Sequence, residues 1–490
     1  MRLKQTAFLS MLSAVAALMC AKPVHAKNLF VTTTGNDALT WAQNDASHAW
    51  RTLAKAGKEA KAGDTVYIGG GSYTTPLVVA NSGNSGTPIV FRPASTSATQ
   101  KVYLEGVGVV LSGKSYVTIQ GLNIRNVPST SSTSGIGIVV EANRTEPSQS
   151  SLGIVLTGNT ISNTYSSAIG VWGAHTSVNP YSVGILTISA NTIEGACNGG
   201  WNEAITVARG VSSFYVRNNI VRNSLSVERG GEGIDVKDGA RNGEISGNVL
   251  TGLRRNAIYV DGGFPAGAPD ANLPATATRN IRIFNNRVYG NLNYTHGITV
   301  VAEGRGSVDG VYIYNNLVYR NSGIGINLYR HPAMVEGTTI KNVYVINNSL
   351  ADNGQIRNEV PVNQAPWFGN IEVSNGDDSQ RATPRFQGIY IRNNATQMSP
   401  SFTNAIRGIF VGNLTAGQVF VSNNSDLNVQ DDTDNRVEIF TNAPAGTLTL
   451  RAGSSAINAG VAVAPYTNTD ILGNARPLGG GIDLGAYELY

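Results

Sequence analysis

The sequence predicts an all-β protein of a single architecture, a right-handed parallel β-helix with an N-terminal capping helix. Three observations carry that prediction. Asparagines at 159, 191, 219, 248, 286, 316 and 348, each closing an alternating phrase such as FYVRNN, GEISGN or VYIYNN, are separated by 32, 28, 29, 38, 30 and 32 residues. A second phrase recurs between them, NEAITVARG, GEGIDVKDG and NAIYVDGG, in which Ile205 and Val207, Ile234 and Val236, and Ile258 and Val260 alternate with other residues, the period of a strand with one buried face. Finally, 56 glycines, 14% charged residues and an abundance of Asn, Val, Ile, Thr and Ser describe strands and turns rather than helices. Propeller blades or a sandwich would also use short strands. Neither explains one asparagine per near-constant period, whereas a solenoid does, because an Asn at the same bend of every coil can donate to the next coil.

In chain order, Arg2 and Lys4 precede an apolar run from Thr6 to Cys20 and a small-residue site, Val24-His25-Ala26. Residues 1–26 therefore read as a secretory signal peptide, and the protein is expected to be exported, to the periplasm or beyond. The run is shorter than the roughly 20 residues that cross a bilayer, so no membrane span is expected. Removing Arg2, Lys4 and Lys22 takes the formal charge from +4 to +1. Without a basic surface, nucleic acid is not expected as a partner. Of two cysteines, Cys20 and Cys197, only the second remains, so no intramolecular disulfide is expected and Cys197 reads as a small buried residue.

Residues 27–64 read as the N-terminal cap, a strand at 28–34 followed by an amphipathic helix from Ser47, as N-cap, to Ala62, with Trp50, Leu53, Ala54 and Ala60 near one face. The solenoid is assigned to 65–430, its first strands at 65–68, 89–92 and 102–104. Two stretched periods, 263–279 and 351–387 with Trp367 and Phe368, are expected as loops over the binding face. Residues 431–490, outside the repeat, are expected to close the far end.

Aligning the second phrase gives three surface columns. Two places before the isoleucine stand Ser167, Glu203, Glu232, Asn256, His296 and Ile324; one place after it, Gly170, Thr206, Asp235, Tyr259, Thr299 and Asn327; three places after it, Trp172, Ala208, Lys237, Asp261, Val301 and Tyr329. Titratable residues concentrate in the middle coils. The first column shares the isoleucine's parity, so its carboxylates face outward only if a bend precedes the strand. Carboxylates on coils about 4.8 Å apart repel one another and call for a cation. Glu203, Glu232 and Asp235 offer hard oxygen ligands to Ca²⁺; the alternative is neutralisation by Lys237, Arg209, Arg229, Arg254 and Arg255. Trp172 and Tyr329 offer flat faces to a sugar ring, with Asp261, His296 and Asn327 as further substrate contacts. Arg330-His331 lies just past the same face.

The chain's ends resemble a known family. NLFVTTTGND and HAWRTLAKAGKEAKAGDTVYIGGGSYTTPLVV are similar to the cap and first coil of family 9 polysaccharide lyases, of the pectate lyase-like superfamily. SSAINAG with TDILGNARPLGGGIDLGAYEL resembles the C-terminal segment of secreted bacterial β-helix proteins. The resemblance implies a calcium-assisted lyase that cleaves an acidic, uronate-containing polysaccharide by β-elimination, acting as a monomer. In that family a DDGWD strand and an acidic residue one coil earlier hold calcium, and a lysine one coil later is the base. Here GGEGID places Glu232 and Asp235 on ligand positions, Gly231 departs from a third, and Glu203 fits the earlier coil. Tyr259 stands where the lysine belongs, so the base is Tyr259 or Lys237, with Arg254 and Arg255 neutralising the uronate carboxylate. Tyr259 is preferred, with Lys237 orienting the substrate. A glycoside hydrolase using Asp235 with Asp261, or Glu232 with either, remains an alternative on the same surface. So do a uronate epimerase and a binding or adhesive protein.

Overall fold

The computed structural model describes residues 26–489 except 144–148, 175–181, 200–202, 225–230, 264–275, 294, 332–333, 355–368, 375–384, 400–406, 413–416 and 426–437. The signal-peptide reading, Arg229, Trp367 and Phe368 lie outside the described residues, as does most of both long loops. No described helix is long and apolar enough to cross a membrane.

Each coil of the chain gives one strand to each of three parallel sheets, of 14, 11 and 11 strands. One turn runs from Val211–Arg217 in the first sheet to Ile220–Arg222 in the third, then Ile234–Val236 in the second, and back to the first at Arg241–Ser246. The result is a parallel β-helix. The predicted early strands are present at Thr65–Ile68, Ile89–Pro93 and Val102–Glu105. Register is exact in the second sheet: Ile205, Ile234, Ile258, Ile298, Ile326 and Ile371 stack in one inward column, and Val207, Val236, Val260, Val300, Leu328 and Val373 in the other. All twelve are fully buried. At about 1.5–3 kcal/mol per buried aliphatic side chain, a one-residue slip that exposed a column would be prohibitive, and this fixes which side chains face outward.

The asparagines form one buried ladder from Asn159 to Asn424, in which each Oδ1 accepts from the backbone N–H and the side-chain Nδ2 of the Asn one coil earlier at 2.9–3.0 Å. The paired Asn-Asn of the sequence has a local cause. The first residue of the pair takes the left-handed conformation, as at Asn218, Asn285, Asn315, Asn347, Asn393 and Asn423 with φ from 52° to 55°, and the second supplies the ladder. Asparagine tolerates that conformation better than other non-glycine residues. A second ladder, Asn291, Asn321, Asn353 and Asn370, runs along another corner; its irregular spacing hid it in the sequence.

One expectation is corrected. The helix is Leu53–Glu59, not 47–62, and its N-cap is Thr52, whose hydroxyl accepts from Lys55 N–H at 3.1 Å. Ser47 cannot cap it because Asp45 draws the Ser47 and His48 N–H groups into a tight turn at 2.8 and 2.9 Å, while Asp37 holds the Arg51 and Thr52 N–H groups at 2.8 and 3.1 Å. Its buried face, Leu53, Ala56 and Gly57, lies against Leu77–Val78 so closely that a Cβ on Gly57 would sit 2.2 Å from the Val78 carbonyl oxygen. The described tail, 438–489, makes its apolar contacts along the side of the solenoid. Phe440, Leu448, Leu450, Leu484 and Ala486 pack on the outer face of the third sheet at Leu317, Tyr319, Ala351 and Ala395. A fully buried Arg476–Glu488 pair at 2.9 Å sits inside the tail. Cys197 is buried, as expected.

Candidate functional site

The outward column next to the isoleucines is the one read from the sequence, Gly170, Thr206, Asp235, Tyr259, Thr299 and Asn327 in direct register. Asp261 and Tyr329 flank Val301 in the next column. Lys237 follows the strand Ile234–Val236, its N–H bonded to the Val207 carbonyl at 3.0 Å, so its side chain falls on the same surface. The chain before Ile234 turns tightly: a Cβ on Gly233 would lie 2.4 Å from the Ala257 carbonyl oxygen. Glu203 and Glu232 sit at this bend and face outward.

These side chains line a cavity of about 270 Å³, formed by Glu203, Glu232, Asp235, Lys237, Arg255, Asn256, Tyr259, Asp261, Glu303, Tyr329 and His331. Eight of the twelve residues singled out as site residues are thus brought together. The other four lie outside it. Trp172 folds back over Gly170, where a Cβ would be 2.0 Å from its ring. Arg254 is held through its backbone by Ser224 Oγ at 2.9 Å. Asn327 is buried further along its column. His296 spends Nδ1 on the Ile324 N–H at 2.9 Å, and burial lowers its pKa to about 4, so it is a neutral structural side chain.

Two residues were missed or undervalued. Glu303 stands on the first residue past Ile298–Ala302, two places beyond Val301; the sequence columns stopped one outward position short of it. His331, Nε2 3.8 Å from Glu303 Oε1, was set aside as lying beyond the face.

Electrostatics divide the cavity in two. On one side the Lys237 ammonium lies 2.7 Å from both Glu203 Oε1 and Asp235 Oδ2, and Thr206 donates to Glu203 Oε2 at 2.7 Å. Burial raises the Glu203 pKa, but Lys237 and Thr206 outweigh it and bring it below the usual value. Asp235 shares the same ammonium yet is raised well above the usual value by its own burial, with Glu203 and Asp261 adding repulsion. The difference lies in its second oxygen: Asp235 Oδ1 is buried without a hydrogen-bond partner. Burial would lower Lys237, but the two carboxylates overcompensate and hold it as ammonium. Glu232 is raised by burial and by Glu203, partly offset by Arg255, whose Nε is 3.1 Å from Oε1.

On the other side Asp261 has only backbone donors, among them Glu303 N–H at 2.8 Å, and burial with the Glu303 charge raises it well above the usual carboxyl range. Tyr259 donates to Glu303 Oε2 at 3.4 Å and bonds to the Tyr329 hydroxyl. Burial, then Asp261 and other neighbours, push its phenol well above its ordinary pKa. Both candidate bases for elimination are therefore held protonated.

Calcium requires 6–8 converging oxygens at 2.3–2.6 Å. The focus of Glu203 and Asp235 is taken by Lys237, and Glu232 is turned to Arg255. Among the described residues no three Asp, Glu, His or Cys side chains are placed to hold a metal. As folded, the trio does not fit the ion.

No family model matches the chain. A curated protein of Bacillus subtilis (strain 168), YwoF, itself uncharacterized, is 28% identical over 361 residues, 68% of this chain and 69% of that one. Among solved structures, pectate lyase Pel9A superposes with a TM-score of 0.54 at 14% identity, covering 96% of this chain and 98% of the other. XylC in complex with xylose gives 0.56 at 12% identity, covering 95% and 98%. Likeness at these identities is likeness of fold: the chain is a parallel β-helix matched over almost its whole length by both.

Proposed function

We propose that the protein is an exported, carbohydrate-active enzyme that cleaves a glycosidic bond in this cavity by carboxyl acid–base chemistry, with Asp261 as the proton donor and Glu303 as the carboxylate beside it. The observation that carries the reading is the Asp261–Glu303 juxtaposition: a buried carboxyl with no cationic partner, its proton stabilised by a neighbouring carboxyl on the next coil. A carboxyl held protonated by its surroundings is what glycoside cleavage needs to protonate the leaving oxygen, with a second carboxyl to stabilise or attack the anomeric carbon. Tyr329 and Asn256 supply a flat face and an amide on the cavity wall. Both neighbours in fold carry names that concern carbohydrate, a pectate lyase and a xylose complex.

The electrostatics favour an uncharged sugar at the point of cleavage. Lys237 is spent on Glu203 and Asp235, and Arg255 on Glu232, so a uronate would bring a further negative charge beside Asp261 and Glu303. The elimination reading has one observation in its favour, the Tyr259 hydroxyl in the family's base column facing the Glu303 carboxylate. It needs a cation from elsewhere to lower that phenol.

The test is a panel of neutral and uronate glycans assayed for reducing ends and, in parallel, for the ultraviolet absorbance of an unsaturated uronide. Once a substrate is found, Asp261→Asn should lose at least ~10²-fold on it, the scale of general-acid catalysis, yet keep most activity on a nitrophenyl glycoside, whose leaving group needs no proton. Equal loss on both refutes Asp261 as the donor. An absorbing product abolished by Tyr259→Phe replaces hydrolysis by elimination.

A further inference from the structure

We propose that Lys237 is a built-in cation that occupies the focus of an otherwise divalent-cation site, so that replacing it by an uncharged side chain converts Glu203, Asp235 and Glu232 into a calcium-class site that the native protein lacks. Glu203 Oε1 and Asp235 Oδ2 each lie 2.7 Å from one nitrogen, so they are at most 5.4 Å apart, twice that distance. Two oxygens on opposite sides of a calcium ion, each 2.3–2.6 Å from it, are about 5 Å apart. The two coils thus hold these oxygens within the span that two ligands of one calcium ion can have. Glu232, whose Oε1 lies 3.1 Å from Arg255 Nε, lines the same cavity as a third carboxyl. The independent sign that the ammonium fills the position imperfectly is Asp235 Oδ1, buried without a partner. One ammonium satisfies one oxygen of Asp235. A divalent ion could take both.

Lys237 reaches this point because the strand ends at Val236 and the chain turns at Asp238, φ 53°, which leaves Lys237 as the last residue on the outward face. The ammonium places a charge of +1 between the two carboxylates, where a calcium ion would place +2. A divalent ion in the same place would meet the ammonium at contact distance, and the repulsion excludes it.

The experiment uses the full chain and calcium alone as probe. Native protein, stripped with chelator, should take up no calcium through this cluster by calorimetry, and its Tm should not respond to chelator or to added calcium. Lys237→Met, similar in length and without charge, should bind one calcium with Kd near ~10⁻⁴ M, the range of weak oxygen sites, and its Tm should rise with calcium. Lys237→Met combined with Glu203→Gln should lose that binding, and Lys237→Arg should gain none. Calcium uptake by the native protein that Glu203→Gln abolishes overturns the proposal. So does a folded Lys237→Met with no uptake. If Lys237→Met fails to fold even when refolded with millimolar calcium, the proposal also falls, because the ion should then have replaced the ammonium.

Discussion

Replacing Asn219 by alanine tests whether the ladder holds the coils together. The Asn219 side chain donates to the Ile188 carbonyl at 3.0 Å and to Asn248 Oδ1 at 3.0 Å, and accepts from the Asn191 backbone N–H at 3.0 Å and from Asn191 Nδ2 at 2.9 Å. After truncation Asn248 Oδ1 keeps the Asn219 backbone N–H, and Asn191 Nδ2 keeps the Leu156 carbonyl. Two buried groups are left without partners, the Asn191 N–H and one Asn191 amide hydrogen, while the Ile188 carbonyl keeps its place in the sheet ladder beside Arg217. At about 1–2 kcal/mol each, the loss is ~2–4 kcal/mol. Asn342→Gly is the control. Asn342 is exposed, its φ of 54° suits glycine, and its one amide contact, to Asp309 Oδ1, is on the surface; the expected change is under ~0.5 kcal/mol. Urea unfolding gives the totals, and hydrogen exchange should show the damage confined to the coils between about 183 and 251, because solenoid coils couple to their neighbours. A loss below ~1 kcal/mol for Asn219→Ala, or one equal to the control, would refute the claim that the ladder carries buried polar groups nothing else can satisfy.

Three further outcomes follow from the same contacts. His296 has its pKa depressed to about 4 from an unfolded value near 6.5, so the unfolded chain binds its proton first and its contribution to stability should fall as pH drops from about 6.5 to about 4; Tm should fall less steeply over that window in His296→Gln than in the native protein. Arg476→Met leaves Glu488 buried without its cation and should cost ~3–5 kcal/mol, loosening the tail so that limited proteolysis releases it while the sheets stay intact. The pattern expected of Asp261→Asn, loss on natural glycosides with activity kept on nitrophenyl glycosides, also implies an acid-side pH optimum that disappears with the substitution, because Asp261 works only while protonated and activity should fall as pH rises through its raised pKa.

The fold was legible because a solenoid writes its geometry once per coil. Ile205, Ile234 and Ile258 repeat a packing requirement, and Asn191, Asn219 and Asn248 repeat a hydrogen-bonding one, so each confirms the others. The outward columns came with the same register, and this is why Asp235, Tyr259 and Lys237 fell on one face as read. What was not legible depends on contacts that do not repeat. The helix boundary is set by Asp37 and Asp45, which capture the Ser47–Thr52 backbone from outside the helix. The tail docks on Leu317, Ala351 and Ala395, outward residues of the third sheet that carry no mark distinguishing them from solvent-facing ones. His296 occupies a column of site residues yet turns its nitrogen to the Ile324 backbone. The sequence gives its position and not its rotamer.

Backbone geometry is nearly the same in every coil of the second sheet, so the location of chemistry along the solenoid is decided by side chains alone. Within the cavity those side chains are not equivalent. Glu203, Asp235 and Lys237 close their charges on one another, and Glu232 closes on Arg255. A cluster that neutralises itself is scaffold: it can be exchanged for a different cation, or for well-packed neutral groups, without altering what a ligand meets beyond it. Asp261 and Glu303 do the opposite. They are brought together by a backbone hydrogen bond, with no lysine or arginine interposed: Tyr259 and His331 meet Glu303, and burial of the Asp261 carboxyl beside the Glu303 charge is a cost to the folded chain. Such a cost persists where the raised proton affinity it creates is itself used. That asymmetry, more than the number of carboxyl groups, is the reason to place proton transfer at Asp261 and Glu303 and to treat the Lys237 side of the cavity as its support.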